Sequence, residues 1–395
     1  IALISISVIR GILKLEKNES NQTATPFPVA AYRFDQKNEM FKRNFWDESK
    51  KADAARFYTD IKYLNTPGYT KTDIAFRNAA WSMEHGFGFG NSRSNSGLYS
   101  WEGVPDKIKL YVETGDPVRE TPDKMSHVIK SAAHFFGADL TGICKLHPNW
   151  VYSHEFNLIN QEHYPIEVPK GCENAVVMAV EMDYDTLHTS PSSIASAATG
   201  AGYSQMAVVA RQMAIFIRSL GYRAIPCGND TALSIPLAMA AGLGECSRMG
   251  LVITEKFGPR IRICKVFTDM PLQYDSYHPF GVEEFCKTCK KCAIHCPSRA
   301  ISMGDMTEEG PSSCNQHGVL KWYIDPEKCY SFWSRNRMDC TTCIRVCPFN
   351  QKKGRIHDSI RATIRRTTLF NRLFVWMDGI TGHDKAFSSE RFWKS

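Results

Sequence analysis

The sequence predicts a mixed fold, α/β or α+β, in which a layered core carries an inserted cysteine-rich segment. Helical and apolar strand patterns alternate between positions 123 and 267, which is typical of helices packed on a sheet. Two cysteine runs follow within positions 285–350. The chain of 395 residues is 43% hydrophobic and 23% charged, so it can form one large domain with a small one appended.

The first 120 residues contain few regular patterns. Positions 1–15 are apolar, but they are too short and too interrupted by Arg10 to span a bilayer. They fit either the end of an export signal or an amphipathic first element, and the sequence begins at Ile rather than Met, which is compatible with an upstream piece. Positions 20–120 are polar, aromatic and rich in glycine, as at Gly86-Phe-Gly-Phe-Gly90. We expect irregular structure that wraps around the core.

Regular elements are predicted from Asp123 onwards. The helices have apolar residues at helical spacing, and the strand at 175–182 is almost wholly apolar, which predicts burial on both faces. We predict helices at 124–136, 193–220 and 233–241, and strands at 139–146, 175–182, 222–226, 251–254 and 260–267. The basic, aromatic tail from 356 is expected to pack back as helices.

The first cysteine run, at positions 286–297, has the spacing C-x2-C-x2-C-x3-C-P. In ferredoxins with two [4Fe-4S] clusters, three cysteines of such a run bind one cluster and the fourth binds the other. The second run, ending at Pro348, supplies the complementary thiols. We predict two [4Fe-4S] clusters, one held by a first set (Cys286, Cys289, Cys292 and Cys347) and one by a second set (Cys296, Cys329, Cys340 and Cys343).

Zinc and disulfides explain these runs less well. Zinc accounts for C-x2-C pairs, but not for a third cysteine at a further two-residue gap or for Cys-Pro at the end of both runs. Disulfide frameworks belong to short secreted chains. Six further cysteines are scattered, mostly in apolar contexts, and we expect buried free thiols there.

The charge pattern argues against nucleic acid as a partner. The net charge of +7 is modest, and no repeated arginine and aromatic interleaving is present. Three lysines, Lys287, Lys290 and Lys291, interleave the first cysteine run. They fit either an influence on cluster potential, or docking of an anionic donor, or a solvated face, which is the simplest interpretation.

Between positions 138 and 350, many short motifs occur in a fixed order. They include Asn149-Trp-Val-Tyr-Ser153, Gly202-Tyr-Ser204, Ser247-Arg-Met-Gly250, Phe257-Gly-Pro259 and Val266-Phe-Thr-Asp-Met-Pro271. In this order they resemble the motifs of the corrinoid and iron-sulfur reductive dehalogenases. The family resemblance implies a nitroreductase-like core that binds a base-off cobamide of the cobalamin type and receives electrons from the clusters. It also implies four regions: 1–120, a wrapping and substrate-pocket region; 121–278, the cobamide-binding core; 279–355, the ferredoxin-like domain; and 356–395, the tail.

The resemblance also assigns roles to single residues. The proton-donating tyrosine of the family falls on Tyr203, its supporting asparagine on Asn229 and its cationic partner on Arg262. Because a guanidinium favours the charged form of a neighbouring acid, we expect Arg262 to lower the pKa of Tyr203. Thr199 and Trp333 fall on substrate-pocket positions.

From residue type alone, simpler roles stay open for these side chains. Tyr203 and Arg262 fit a structural hydrogen bond, Asn229 fits a turn and Trp333 fits the core. A further family aromatic has no counterpart, because Asp339 stands there. The substrate range is therefore not predicted.

The implied reaction is reductive removal of halide from a small organohalide, as the terminal step of anaerobic organohalide respiration. The respiratory branch implies an exported, peripheral protein at the outer face of the cytoplasmic membrane, although no twin-arginine signal occurs in this sequence. It further implies an electron donor chain at the membrane and a small membrane-anchor subunit, and leaves open a homodimer.

Two other functions compete with this one. An epoxyqueuosine reductase, which modifies a tRNA base, has a similar core and similar cofactors, but Gly-Tyr-Ser at 202–204 and Phe332-Trp333 favour the dehalogenase. A plain electron carrier is disfavoured by the long enzyme-like segment that precedes the clusters.

Overall fold

The computed structural model describes residues 25–59, 63–88, 97–102, 116–158, 160–352 and 354–394. The apolar stretch at 1–15 lies outside the described residues, as do Phe89 and Gly90 of the glycine-rich stretch. In the described ranges, no helix is both long and apolar enough to cross a bilayer.

The helices, numbered in chain order, include three that precede the predicted core. Short 3-10 turns lie at Gln36–Asn38 and Pro148–Trp150, and a π turn at Glu84–Gly88. The α-helices are α1 (Met40–Trp46), α2 (Lys51–Tyr58), α3 (Lys71–Met83), α4 (Pro122–Phe135), α5 (Tyr184–Leu187), α6 (Ser193–Ser219), α7 (Ser234–Ala240), α8 (Val282–Cys289), α9 (Lys291–Ile294), α10 (Pro326–Asn336), α11 (Thr342–Arg345), α12 (Arg355–Arg366), α13 (Asn371–Thr381) and α14 (Ser389–Phe392).

Four strands form a central sheet in the order β1-β4-β8-β5, and every neighbouring pair is antiparallel. This arrangement is the α+β form of the predicted mixed fold. Two short pairs, β2 with β3 and β6 with β7, lie outside it. The strands are β1 (Leu140–Lys145), β2 (His154–Phe156), β3 (His163–Pro165), β4 (Asn174–Glu181), β5 (Ala224–Cys227), β6 (Glu245–Cys246), β7 (Val252–Ile253) and β8 (Ile261–Thr268).

Strand β4 is buried on both faces, as predicted. Val177 and Ala179 belong to a core that includes residues of α7, whereas Val176 and Met178 belong to a second core that contains the inner face of α6. Because successive side chains of a strand point to opposite faces, the continuous apolar run follows directly from a sheet covered on both sides.

The prediction of irregular structure at 20–120 is wrong for three segments, which form α1, α2 and α3. Helix α3 begins with a capping box, in which Thr70 accepts from the backbone of Asp73 and the Asp73 carboxylate accepts from the backbone of Thr70. It then packs along α6. Its buried residues include the polar Asp73 and Arg77, which hides the helix from a hydrophobic-periodicity pattern.

The cysteine-rich segment is joined to the sheet core by a close backbone contact. Gly258, which has a φ of +59°, lies against Phe349, and a Cβ atom on Gly258 would lie 2.2 Å from the Phe349 carbonyl oxygen. Only glycine fits at this position, because of both the space and the backbone conformation. The tail packs back as predicted, and the indole of Trp393 donates to Asp73 over 2.7 Å.

Candidate active site

The structure brings together the two predicted sets of cysteines, and all fourteen thiols of the chain are free. Burial raises the pKa of Cys347, and the three other thiols of the first set contribute. Burial likewise raises the pKa of Cys343, with contributions from the three other thiols of the second set and from Cys292 of the first. The two sets are therefore neighbours. Thiolates this close would repel each other, so each set is suited to a metal, whose binding releases the protons of its thiols.

Arg248 lies beside the first set and is fully buried. It donates from Nε to the carbonyl of Cys286 over 3.1 Å, and from Nη1 to the carbonyls of Ser302 and Gly304 over 2.8 and 2.7 Å. Its guanidinium carbon lies 4.4 Å from the centroid of the Trp322 ring. Together with the four thiols, Arg248 lines a small cavity. This places a fixed positive charge at the first set.

The interpretation of a solvated lysine face is wrong for one of the three lysines. Lys287 is exposed and paired with Glu284. Lys291 is buried, and its ammonium contacts the carboxylates of Asp378 and Asp384 in the tail. Lys291 thus anchors the tail to the first cysteine run.

The five predicted site residues outside the clusters line one cavity of about 390 Å³. Its wall is built from the N-terminal helices, α6, the turn after β5, β8 and the segment between the cysteines of the second run. Trp333 and Asp339 lie in that segment, and Asp339 precedes Cys340. The cavity is therefore next to the second set. The five residues are Thr199, Tyr203, Asn229, Arg262 and Trp333.

Two side chains hold the ring of Tyr203. Trp81 of α3 stacks on it, with ring centroids 5.2 Å apart. The guanidinium carbon of Arg262 lies 4.7 Å from the ring centroid. Arg262 also donates to the hydroxyl of Thr199 over 3.3 Å. Tyr203 and Thr199 lie one turn apart on α6, so one helix face supplies both.

A chain of hydrogen bonds ends at the Tyr203 hydroxyl. Asn229 donates to that hydroxyl over 2.9 Å, and Ser234 donates to the amide oxygen of Asn229 over 3.1 Å. Lys265, fully buried on β8, donates to Ser234 Oγ over 3.0 Å, to the carbonyl of Ala232 over 2.9 Å and to the carbonyl of Gly228. The side chain of the turn residue Asn229 is therefore held in place by Ser234, which is itself held by Lys265.

The expected lowering of the Tyr203 pKa is not the net result. Burial raises the pKa of Tyr203 above its ordinary value, and the opposing effect of Arg262 is smaller. The charges of Glu84, Glu39 and Asp339 add to the rise. Tyr203 therefore keeps its proton at neutral pH.

Several acidic residues of the cavity were missed from the sequence. Burial raises the pKa of Glu84 to about 8 and that of Glu39 to about 7, and it also raises the pKa of Asp230. They lie on the π turn, on the cap of α1 and in the turn after β5. Spacing gives no signal for them, because the three sites are distant in the chain.

Asp339, the departure from the family pattern, also lines the cavity. Ser196 of α6 donates to one of its oxygens, and Arg77 of α3 donates to Ser196 over 3.2 Å. At this point of the cavity wall, a carboxylate therefore stands where the family resemblance implies an aromatic side chain.

Buried polar atoms around the cavity are left without a protein partner. Among the described residues, no hydrogen-bond partner exists for one polar atom of each of six cavity-lining side chains. Such atoms are expected to be satisfied by a ligand or water. They are Glu84 Oε2, Tyr99 Oη, Asp230 Oδ2, Arg262 Nε, Trp333 Nε1 and Asp339 Oδ2.

Comparison with known proteins finds relatives that span both the cysteine sets and the cavity residues. The pattern of the 4Fe-4S dicluster domain matches residues 285–351. The tetrachloroethene reductive dehalogenase of Sulfurospirillum multivorans is 33% identical over 413 aligned positions, which include 96% of this chain and 82% of that protein. The chain belongs to the reductive dehalogenase family. It is therefore related to oxidoreductases, as predicted.

The solved structure of a tagged variant of the catabolic reductive dehalogenase NpRdhA superposes with a TM-score of 0.71 at 25% identity. The alignment covers 92% of this chain and 48% of that one, so this chain spans about half the length of its solved relative. An epoxyqueuosine reductase from Atelocyanobacterium thalassa matches more weakly, at 25% identity over 45% of this chain. The comparison therefore favours the reductive dehalogenase over the epoxyqueuosine reductase.

The cofactors of the family are a cobamide and two [4Fe-4S] clusters. The residues present fit both. The eight thiols form two neighbouring sets. A corrin ring, which carries amide groups around its edge, is a suitable partner for the unpartnered donors and acceptors of the cavity.

Proposed function

We propose that this chain replaces a halogen of a small organohalide by hydrogen, in the cavity beside the second set. In this reaction the carbon-halogen bond takes up two electrons and one proton, and the products are the hydrogenated carbon and a halide ion. The chain's clusters supply a route for the electrons, and Tyr203 supplies the proton.

The cobamide, when bound, supplies the reducing metal centre for the carbon-halogen bond. The side chains with unpartnered atoms, Glu84, Asp230 and Asp339 among them, would hold its polar groups or those of the substrate. Thr199 and Trp333 would form walls of the substrate site.

The direction of the hydrogen bonds at Tyr203 is the observation that supports its role. An ammonium group only donates, so Ser234 Oγ accepts from Lys265, and its own hydrogen goes to the amide oxygen of Asn229. The amide NH2 of Asn229 therefore faces Tyr203. The tyrosine oxygen accepts this bond, which leaves its own hydrogen free for the cavity.

Arg262 and Asn229 would act after the proton has left. The phenolate formed on Tyr203 gains from the guanidinium above the ring and from the amide donor at its oxygen. The raised pKa keeps Tyr203 protonated before reaction. The contacts with Arg262 and Asn229 then lower the free-energy cost of releasing the proton.

The decisive experiment uses the anaerobically prepared protein, reconstituted with cobamide and supplied with reduced methyl viologen. Tyr203→Phe is expected to lower halide release by about 100-fold or more, since it removes the general acid and leaves the ring. Metal and cobamide contents serve as controls. Full activity in this variant would remove the proposed role of Tyr203, and absence of halide release from every substrate by the unmodified protein would remove the proposed function.

Chlorinated ethenes are the first substrates to test. The proposal for this class comes from the named activity of the Sulfurospirillum multivorans relative, which acts on tetrachloroethene. Chlorinated alkanes and phenols complete the screen, because Asp339 changes the wall of the cavity.

We further propose the respiratory setting: an exported, peripheral protein at the outer face of the cytoplasmic membrane, with a donor chain and a small anchor subunit there. The family resemblance supports this. Fractionation of the native host, with the protein recovered in the membrane fraction and accessible to protease from outside the cell, is the expected result. Recovery from the cytoplasm would contradict it.

A further inference from the structure

Helix α13 and the residues just before it present an apolar stripe to solvent. Leu369 is 79% exposed, Ile380 65% and Trp376 62%. At 3.6 residues per turn, the four large apolar side chains of the stripe that lie on the helix fall within an arc of about 100°. We call these residues the α13 stripe: Leu369, Phe370, Leu373, Trp376, Met377 and Ile380.

The opposite face of the same helix is docked on the protein. Phe374 and Val375 pack against the core that contains the first set of cysteines. Asp378 accepts from Lys291 and, over 3.0 Å, from the side-chain amide of Gln351. The helix is thus fixed in orientation by its inner face, and the outward direction of the stripe is a property of the fold.

The surroundings of the stripe are basic. Arg365, Arg366 and Arg372 are exposed on α12 and at the start of α13. Segment 355–394 has a net charge of +4 from eight basic and four acidic side chains. The basic residues are Arg355, Arg361, Arg365, Arg366, Arg372, Lys385, Arg391 and Lys394, and the acidic ones are Asp358, Asp378, Asp384 and Glu390.

We propose that the α13 stripe docks this chain on an anionic lipid surface, with the helix lying in the plane of the interface. Apolar side chains on one face, flanking arginines and a tryptophan are the features that such helices share. A bilayer offers an apolar interior and negative headgroups together. A second copy of this chain would instead bring the arginines of both copies against each other.

The position of the stripe gives this docking a consequence for electron supply, a step that rests on the proposed function. Helix α13 packs against α8, which carries Cys286 and Cys289. Docking would therefore place the first set at the membrane side of the molecule and the cavity beyond the second set. Electrons from a membrane donor would enter at the first set.

The test is co-sedimentation of the cofactor-loaded protein with vesicles that contain phosphatidylglycerol and phosphatidylethanolamine. The unmodified protein is expected to bind these vesicles, less strongly as salt rises. Leu373→Gln combined with Ile380→Gln should weaken binding at least about tenfold, because two apolar anchors are lost. Arg366→Gln with Arg372→Gln should weaken it by about tenfold and reduce its salt dependence.

Phe135→Gln is the matched control, since Phe135 is 86% exposed on α4, outside the stripe. It should bind vesicles like the unmodified protein, and all these variants should retain halide release with reduced viologen. Unchanged vesicle binding by the Leu373 and Ile380 variant would overturn the proposal. So would a dimer, seen by light scattering, that this variant converts to a monomer without any vesicle binding by the parent. Vesicle binding does not depend on Tyr203, so the two proposals fail separately.

Discussion

Two buried cations beside the first set and the buried polar atoms of the cavity differ in how they are satisfied. Arg248 and Lys291, beside the first set, have their donors directed at carbonyls and carboxylates of the protein. Around the cavity, six buried polar atoms have no partner among the described residues. These two buried cations are therefore satisfied by the protein itself, whereas the cavity presents polar atoms that a bound ligand would satisfy.

Removal of single thiols should have the largest effect, on both iron content and halide release. Cys347→Ser and Cys343→Ser should each lose one cluster, so that iron falls from about eight to about four atoms per chain and halide release is abolished. Elemental analysis and electron paramagnetic resonance of the reduced protein measure this. Cys144→Ser, at a buried thiol outside both sets, should keep all the iron. Equal iron in all three variants would break the assignment of the two sets.

The next largest effect is expected at Arg248. Arg248→Met removes the guanidinium that donates to the carbonyls of Cys286, Ser302 and Gly304, of which only Gly304 keeps a second side-chain donor, Trp322, and should destabilise the protein by about 3 kcal/mol. Calorimetry under anaerobic conditions measures it, and the first cluster should also shift to a lower potential. Lys287→Met, at an exposed pair, should change stability by less than about 0.5 kcal/mol. A similar change in both variants would show that the buried contacts of Arg248 add nothing.

At the cavity, the same kind of experiment should have the opposite sign, and the size of its effect should depend on pH. Burial keeps Glu84 protonated up to about pH 8, whereas the unfolded chain releases that proton near pH 4.5. Folding stability therefore falls between these pH values, by about 1.4 kcal/mol per pH unit for a single such group. Glu84→Gln should remove this slope, so that the variant is more stable than the parent at pH 8 and equal to it at pH 4.

Melting temperatures of cobamide-free protein, measured across that range, test this expectation. Glu120→Gln, at an exposed residue paired with Lys124, is the control and should follow the parent. Parallel pH profiles for parent and Glu84→Gln would mean that Glu84 is ionised in the folded protein.

Cysteine spacing and hydrophobic patterns predicted some parts of the molecule and missed others. The cysteine sets are short-range features, so spacing alone assigned them, and strand β4 and helix α6 follow from continuous or periodic apolar residues. Helices α1 and α3 escaped because their inner faces include Lys42, Asn44, Asp73 and Arg77. Lys42 and Arg77 line the cavity, and a hydrophobic pattern cannot indicate helices with such polar inner faces.

The proposed catalytic residues were found only through the family resemblance. Tyr203 and Arg262 lie on a helix and a strand, and nothing in their spacing brings them together. Ser234 and Lys265 were missed altogether. Lys265 lies in a mostly apolar strand that also contains Arg262, and a charge in such a strand was the available signal.

The contact between Gly258 and Phe349 limits how this architecture can be divided. Because backbone contacts backbone there, the cysteine-rich segment has no free surface at that point. Removing it as a separate small protein would expose apolar residues of its core. Recombination between relatives would therefore have to exchange both sides of this contact together.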